Sequence, residues 1–227
     1  MKNITYIIIV LFGLSSCSED FLSLTPDSEP NADDFYETAE QFQQAVNGVY
    51  QTLRTTVNES GYLMGEMRSD NTHYDYYPPD RGIHIIRREN IDDFLDDSQN
   101  QWTNDYFNNC YTGIARANTI LDRIEEATFD QAAKDPIIGE AKFLRAYYYF
   151  NLVRYFGGVP LYLKEVLKEA DAFLPRASVE EVYNIIISDA QDAIAKLPAP
   201  AFPQNGRVNK ESASMFLVDV YMTRKDF

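Results

Sequence analysis

Apolar residues recur at intervals of three and four along most of the chain, which is the spacing of one face of an α-helix. They form such a stripe in residues 33–54 and again in residues 99–126. Residues 130–155, 178–197 and 209–223 show the same spacing. The pattern predicts five long helices. Because these segments contain no alternating pattern of useful strand length, it also predicts an all-α fold.

The ends of the predicted helices carry their own signals. Ser178 and Glu181 form the sequence of a capping box, in which each side chain bonds the backbone of the other residue. Gly157, Gly158 and Pro160 follow the third helix, and glycine followed by proline is a typical stop signal. Long helices in antiparallel succession that pair alanine with larger apolar residues are compatible with tetratricopeptide-like hairpins forming an α-α superhelix.

The amino terminus has the features of an export signal. The apolar stretch from Ile4 to Leu14 is shorter than the roughly 20 residues that span a bilayer. Two serines then precede Cys17, an arrangement that resembles a bacterial lipobox, in which the signal is cut before the cysteine and the cysteine is acylated. We expect residues 1–16 to be a signal peptide and Cys17 to be the lipidation site. An ordinary signal peptide that ends near a cysteine is the alternative.

Residues 17–32 follow the proposed lipidation site. They are rich in proline and acidic residues and lack an apolar period, which is typical of an extended linker. We expect this segment to tether the protein to a membrane through its lipid.

Composition excludes several classes of protein. The 227 residues carry a formal charge of −15 and are 45% hydrophobic, which predicts a folded core and opposes binding to nucleic acid. Two cysteines and two histidines are too few for a disulfide framework, and they leave little for a zinc centre. We therefore expect no nucleic acid partner, no metal and no cofactor.

Few features of the sequence support an enzyme. A cluster of carboxylates lies at Asp92, Asp93, Asp96 and Asp97. A glycosidase needs two carboxylates that face each other across a cleft, which spacing alone cannot show, so we interpret the cluster as a solvated acidic face. Cys110 lies in a helical pattern and is predicted to be a buried apolar residue. We expect no catalytic residue.

Residues 139–161 have the sequence GEAKFLRAYYYFNLVRYFGGVPL. This segment resembles, almost residue for residue, the hallmark of the SusD/RagB family of outer-membrane nutrient-uptake lipoproteins. Four other segments resemble family patterns in the same order: residues 17–26, residues 35–50, residues 102–121 and residues 178–210. The apolar stripe of the hallmark itself predicts a structural role for it.

The resemblance implies a surface-exposed lipoprotein of the outer membrane that captures an oligosaccharide or peptide and does not cleave it. It also implies a partner, a SusC-like TonB-dependent transporter that receives the ligand. In the family, acidic residues after the lipidated cysteine accompany display on the outer face, and Glu19 and Asp20 match that pattern. A helical-repeat scaffold that binds only protein partners is the alternative.

Residues 55–97 lack a long helical period and are predicted to be an irregular segment. Long loops often carry function, and this one combines aromatic rings with hydrogen-bonding groups that suit a sugar. In the family the corresponding region supplies some glycan contacts. The candidate ligand residues are Asp70, Asn71, Tyr74, Tyr76, Tyr77 and Arg81. The alternative is a loop whose tyrosines pack on the helices or on the transporter. Trp102 lies on the apolar stripe of the second helix and is predicted to belong to the core.

Members of the family are about twice as long as this chain. We therefore expect the sequence to be an amino-terminal fragment in which residues 33–227 form an incomplete helical-repeat domain. A following helix would then be needed to cover the apolar face of the last one, which carries Phe216, Leu217, Val220 and Tyr221.

Overall fold

A computed structural model of the chain describes residues 35–69, 71–73, 79, 82–203 and 205–225. The chain divides after residue 35, and all of the described helices belong to the second part. The described residues form α-helices and one 3₁₀ helix and contain no strand. The elements are α1 (Ala39–Val57), α2 (Glu59–Gly65), α3 (Ile83–Asp92), α4 (Gln101–Glu126), α5 (Gln131–Phe156), a 3₁₀ helix (Glu169–Ala172), α6 (Val179–Lys196) and α7 (Lys210–Arg224). None of the described helices is both long enough and apolar enough to cross a membrane.

The prediction of five long helices in an all-α fold is confirmed by α1, α4, α5, α6 and α7. The segment predicted to be irregular contains, in addition, the end of α1 and the two short helices α2 and α3. These helices have 7 and 10 residues, which is less than the window of about 11 to 18 residues over which a helical period can be recognised.

Side-chain caps mark the starts of four of the five long helices, α1, α4, α6 and α7. The predicted capping box is present at the start of α6, where the Glu181 backbone N–H donates to Ser178 Oγ (3.2 Å) and the Ser178 N–H donates to the Glu181 carboxylate (2.7 Å). The backbone N–H and the hydroxyl of Ser178 lower the pKa of Glu181, because both stabilise its ionised form. Gly157 ends α5 with φ of 69°, a conformation that glycine adopts without steric penalty.

Helix α5, which carries most of the family-like segment, is the centre of the core. It packs against α4 on one side and α6 on the other, so its side chains are buried almost all the way round. The contact with α4 is close: a Cβ atom at Gly113 would lie 2.2 Å from the ring of Tyr148. The hydroxyl of Tyr148 donates to the Val49 carbonyl of α1 (2.8 Å). The structural role predicted for this segment agrees with this burial.

One buried ion pair joins α5 to α6. Arg145 donates from Nε to Asp189 Oδ2 (2.7 Å) and from Nη2 to Asp189 Oδ1 (2.9 Å). Its Nη1 donates to Asn118 Oδ1 of α4 (2.8 Å) and to the carbonyl of Leu163 (3.1 Å). Arg145 and Asp189 are 6% and 2% exposed. The guanidinium therefore connects three helices and the segment that follows α5.

More of the apolar surface of the last helix, α7, is buried than the sequence predicted. Phe216 is 8% exposed and Val220 is fully buried, because α7 packs against α6 and the ring of Phe216 lies 5.3 Å from Phe143 and 5.4 Å from Phe150. The expectation that these two residues need a further helix is therefore wrong. The exposed apolar side chains of α7 are Met215, Val218 and Met222.

We expect Asp189→Asn to lower the free energy of unfolding by about 3 kcal/mol, because the substitution leaves the buried guanidinium of Arg145 without a counter-charge. Urea denaturation followed by circular dichroism measures this loss. Asp192→Asn, three residues away on α6, is the matched control. Asp192 pairs with Lys142 (2.6 Å), but its side chain is 49% exposed, so a much smaller loss is expected. Equal losses in the two variants would contradict the central role of the Arg145 pair.

Candidate functional site

The structure describes one of the six candidate ligand residues. Asn71 is exposed, and its backbone N–H donates to Ser69 Oγ (3.4 Å). The other candidate ligand residues lie outside the described residues; these are Asp70, Tyr74, Tyr76, Tyr77 and Arg81. Cys17 and the whole tether, residues 17–32, also lie outside them. These assignments remain predictions.

The segment 55–97 nevertheless contributes to a cleft of about 450 Å³, which we call the polar cleft. The cleft lies between the end of α2, the residues before α4, the start of α4 and the end of α5. Phe107, Tyr155 and Phe156 supply aromatic surface to its walls. The polar side chains that line it are Arg68, Asp96, Asp97, Ser98, Thr103, Asn104 and Arg176.

Asp96 organises one wall of the polar cleft. It accepts from Arg68 Nη2 (2.5 Å) through one carboxylate oxygen and from Thr103 Oγ1 (2.7 Å) through the other. The Nε atom of Arg68 is buried and has no hydrogen-bond partner among the described residues. An acceptor on a bound molecule could satisfy this donor.

The interpretation of the carboxylate cluster as a solvated face is wrong for two of its four members. The Asp96 side chain is 10% exposed and pairs with Arg68. The Asp92 side chain is 9% exposed and accepts from His73 Nδ1 (2.7 Å). Asp93 and Asp97 are exposed, as expected. The pairing partners, Arg68 and His73, both come from the chain before α3.

The other wall is a turn held by side-chain bonds to the backbone. Asp97 accepts from the Gln99 N–H (2.8 Å), and Asn104 Nδ2 donates to the Ser98 carbonyl (2.9 Å). Asn100 caps α4 by accepting from the Trp102 N–H (3.1 Å). Asp97, Ser98 and Asn104 are exposed and keep further acceptor or donor capacity. Such groups, with aromatic rings beside them, can bind the hydroxyls and the apolar faces of a sugar.

Phe94, next to the polar cleft, has an unusual conformation. Its φ is 58°, a left-handed value that residues other than glycine seldom adopt, and its side chain is 68% exposed. The Arg68 guanidinium lies 5.8 Å from the centre of its ring. Backbone strain of this kind is concentrated at functional sites, and an exposed ring suits stacking against a ligand.

Trp102 is not available as a sugar platform. Its ring packs against the core, and the Arg88 guanidinium covers one face at 4.7 Å from the ring centre. This agrees with its predicted place on the apolar stripe. Cys110 is also buried, as predicted, and burial raises the pKa of its thiol to about 12, so it is not a nucleophile.

A second cleft, of about 370 Å³, lies between α4 and the segment after α5. Its tyrosine hydroxyls already have acceptors: Tyr111 donates to the Pro160 carbonyl (2.8 Å) and Tyr162 to the Ala172 carbonyl (2.6 Å). This apolar cleft therefore offers a sugar fewer free hydrogen-bonding groups than the polar cleft. In the part of the chain that the structure describes, no group of three or more potential metal ligands occurs.

The fold and the site together define a set of packed α-helices with a polar cleft that has aromatic rings in its walls. Residues 20–222 match the model of a SusD-like family described as starch-binding and associating with the outer membrane. The match covers most of the chain, and the chain belongs to the SusD-like family.

Individual relatives agree with this assignment. SusD-like protein P38 of Formosa agariphila is 30% identical over 84% of this chain and 36% of its own length. The crystal structure of a SusD-like protein from Bacteroides fragilis has 25% identity and a TM-score of 0.73 over 89% of this chain and 38% of that one. A laminarin-binding SusD-like protein has 26% identity and a TM-score of 0.73 over 83% and 41%. The chain thus spans less than half the length of these relatives.

We expect Phe94→Asn to raise the free energy of unfolding by about 1 kcal/mol relative to Leu95→Asn, because asparagine tolerates the left-handed conformation better than phenylalanine. The two positions are matched, since Leu95 is adjacent and 67% exposed but has an ordinary φ. Chemical denaturation of both variants measures the difference. Equal stabilities would show that the backbone at Phe94 carries no strain.

Proposed function

We propose that this chain is part of a surface-exposed outer-membrane lipoprotein that captures glycans and passes them to a SusC-like TonB-dependent transporter. Binding, without cleavage, is the function that the polar cleft supports best. The proposal extends to this chain what the family description and the relative's name say of starch and laminarin, both of which are glucose polymers.

The observation that carries the proposal is the composition of the polar cleft. It combines a buried, unpartnered Arg68 Nε, the exposed polar groups of Asp97 and Asn104, and the aromatic rings of Tyr155 and Phe156. A sugar presents hydroxyls around its edge and apolar C–H groups on its faces, so both kinds of group in the cleft would have partners. The cleft volume of about 450 Å³ falls within the usual range of roughly 300–1,000 Å³ for ligand sites.

The location of the protein rests on its amino terminus. We propose that Cys17 is acylated after removal of residues 1–16, that residues 17–32 form the tether, and that Glu19 and Asp20 favour display on the exterior. A lipid anchor and a polar linker would hold the cleft close to a transporter in the same membrane.

We expect Asn104→Ala to weaken binding to soluble starch or laminarin about three- to tenfold, which corresponds to the loss of one net hydrogen bond. Affinity electrophoresis of the purified full chain measures the change. Asn108→Ala is the matched control, because Asn108 is an exposed asparagine one turn further along α4 that lines the apolar cleft instead. Failure of the unmodified chain to bind any glycan would favour the protein-binding scaffold.

We expect Cys17→Ser to abolish incorporation of labelled palmitate and to release the protein from the membrane fraction, because no other residue of the proposed lipobox can accept the lipid. Labelling of whole cells, followed by fractionation, measures both effects. Cys110→Ser is the control, since Cys110 is buried in the core and should leave labelling intact. Unchanged labelling in Cys17→Ser would exclude the proposed lipidation site.

A further inference from the structure

A third cleft, of about 270 Å³, lies far from the polar cleft; we call it the proline cleft. It is bounded by α1, α5 and the segment between α6 and α7, which supplies Pro198, Pro200 and Pro203. Glu140, in the first half of α5, borders it, whereas Tyr155, at the carboxyl end of α5, borders the polar cleft. Fifteen residues of helix separate these two positions, or about 22 Å at 1.5 Å per residue.

Arg207 gives the proline cleft its polar wall. Its Nε donates to both carboxylate oxygens of Glu140 (3.1 and 2.8 Å), and its Nη1 donates to Asn47 Oδ1 (2.7 Å). The guanidinium also lies over the ring of Tyr50, 5.1 Å from its centre. The Tyr50 hydroxyl accepts from the Val208 N–H (3.0 Å). Arg207 is therefore held in place from several directions.

Two hydrogen-bond donors of this cleft have no acceptor. Arg207 Nη2 and Gln43 Nε2 are both buried, and neither has a hydrogen-bond partner among the described residues. Both side chains line the proline cleft. A buried donor without an acceptor is unfavourable and is rare in folded proteins, so an oxygen acceptor supplied from outside the protein would be stabilised beside these two donors.

The charge of the site favours a neutral acceptor over an anion. Arg207 is the charged donor, and its Nε already bonds the carboxylate of Glu140, whose side chain is 6% exposed. An added carboxylate would share one guanidinium with Glu140 and would be repelled by it. A sugar hydroxyl accepts from a donor and can also donate to Glu140, without any added charge.

The size and surroundings of the proline cleft suit a single sugar. The volume of the proline cleft, about 270 Å³, lies just below the roughly 300–1,000 Å³ of most small-molecule sites. It is many times the roughly 30 Å³ that one water occupies. Proline and alanine side chains offer apolar surface to the C–H face of a ring. Phe202, in the same segment, is 97% exposed and provides a ring on which a neighbouring sugar can stack.

We propose that the proline cleft is a second glycan subsite, which binds one neutral sugar residue through Gln43 Nε2 and Arg207 Nη2. The inference rests on the proposed function, because it assigns the same class of ligand to a separate place. Two sites that border α5 about 22 Å apart along the helix would let one long glycan be held at two places, or two glycans be held at once.

The test is a titration of the full chain with D-glucose, followed by nuclear magnetic resonance of side-chain N–H groups. We expect the resonances of Gln43 and Arg207 to shift with a saturable dependence on glucose. Gln43→Ala should weaken this binding about three- to tenfold, the equivalent of one net hydrogen bond. The Gln43 amide nitrogen makes no hydrogen bond, so the variant should fold. Gln51→Ala, exposed and two turns along α1, is the control and should change nothing.

The outcomes separate this inference from the proposed function. Glucose that shifts the Asn104 amide but neither Gln43 nor Arg207 would overturn the second subsite and leave the polar cleft as the glycan site. Shifts at Gln43 and Arg207 that persist in Asn104→Ala would support two independent sites, even if the polar cleft binds nothing. Shifts produced by sodium acetate but not by glucose would overturn the assignment to a neutral sugar. No response to either probe would overturn the subsite and show that water alone occupies the cleft.

Discussion

The buried contact between Arg145 and Asp189 is the constraint on which the rest of the structure depends. Burial of two opposite charges stabilises a fold only when their geometry is good and their remaining donors are satisfied. Here the pair is bidentate, and the third nitrogen of the guanidinium reaches Asn118 and the Leu163 carbonyl. Helices α4, α5 and α6 must therefore keep one relative position, and the segment after α5 must return over α4. That segment forms one wall of the apolar cleft and carries Arg176 to the polar cleft.

The periodicity of apolar residues was sufficient to predict the long helices and their buried faces, but not the contacts of individual polar side chains. The stripes of α4 and α5 predict Cys110, Tyr148 and Leu152 as core, and all three are buried. In the sequence, Asp92 and Asp96 belong to a run of carboxylates that is typical of a solvated face. Their spacing carries no information about His73 and Arg68, which pair with them from an earlier part of the chain. Long-range pairing of this kind leaves no local pattern in the sequence.

The candidate site was likewise predictable from the sequence only in part. The composition of residues 55–97 predicts a ligand-binding region, and this stays a prediction. The structure places two residues of the segment, Arg68 and Asp96, in the wall of the polar cleft. Asn104 and Arg176 were missed, because they lie on α4 and after α5, and only the fold brings them to the same cleft. The unsatisfied donors of Arg207 and Gln43 could not have been predicted from the sequence either, since a donor lacks an acceptor only after folding has removed it from water.

The two clefts proposed for sugars lie where other segments of the chain meet α5. Tyr155 and Phe156, at the carboxyl end of α5, border the polar cleft, and Glu140, in the first half of the helix, borders the proline cleft. Arg145 and the close approach of Tyr148 to Gly113 hold α5 in place between its neighbours. Glu140 and Tyr155 are about 22 Å apart along this helix at 1.5 Å per residue, so the proposed binding of one glycan at both clefts requires an extended chain.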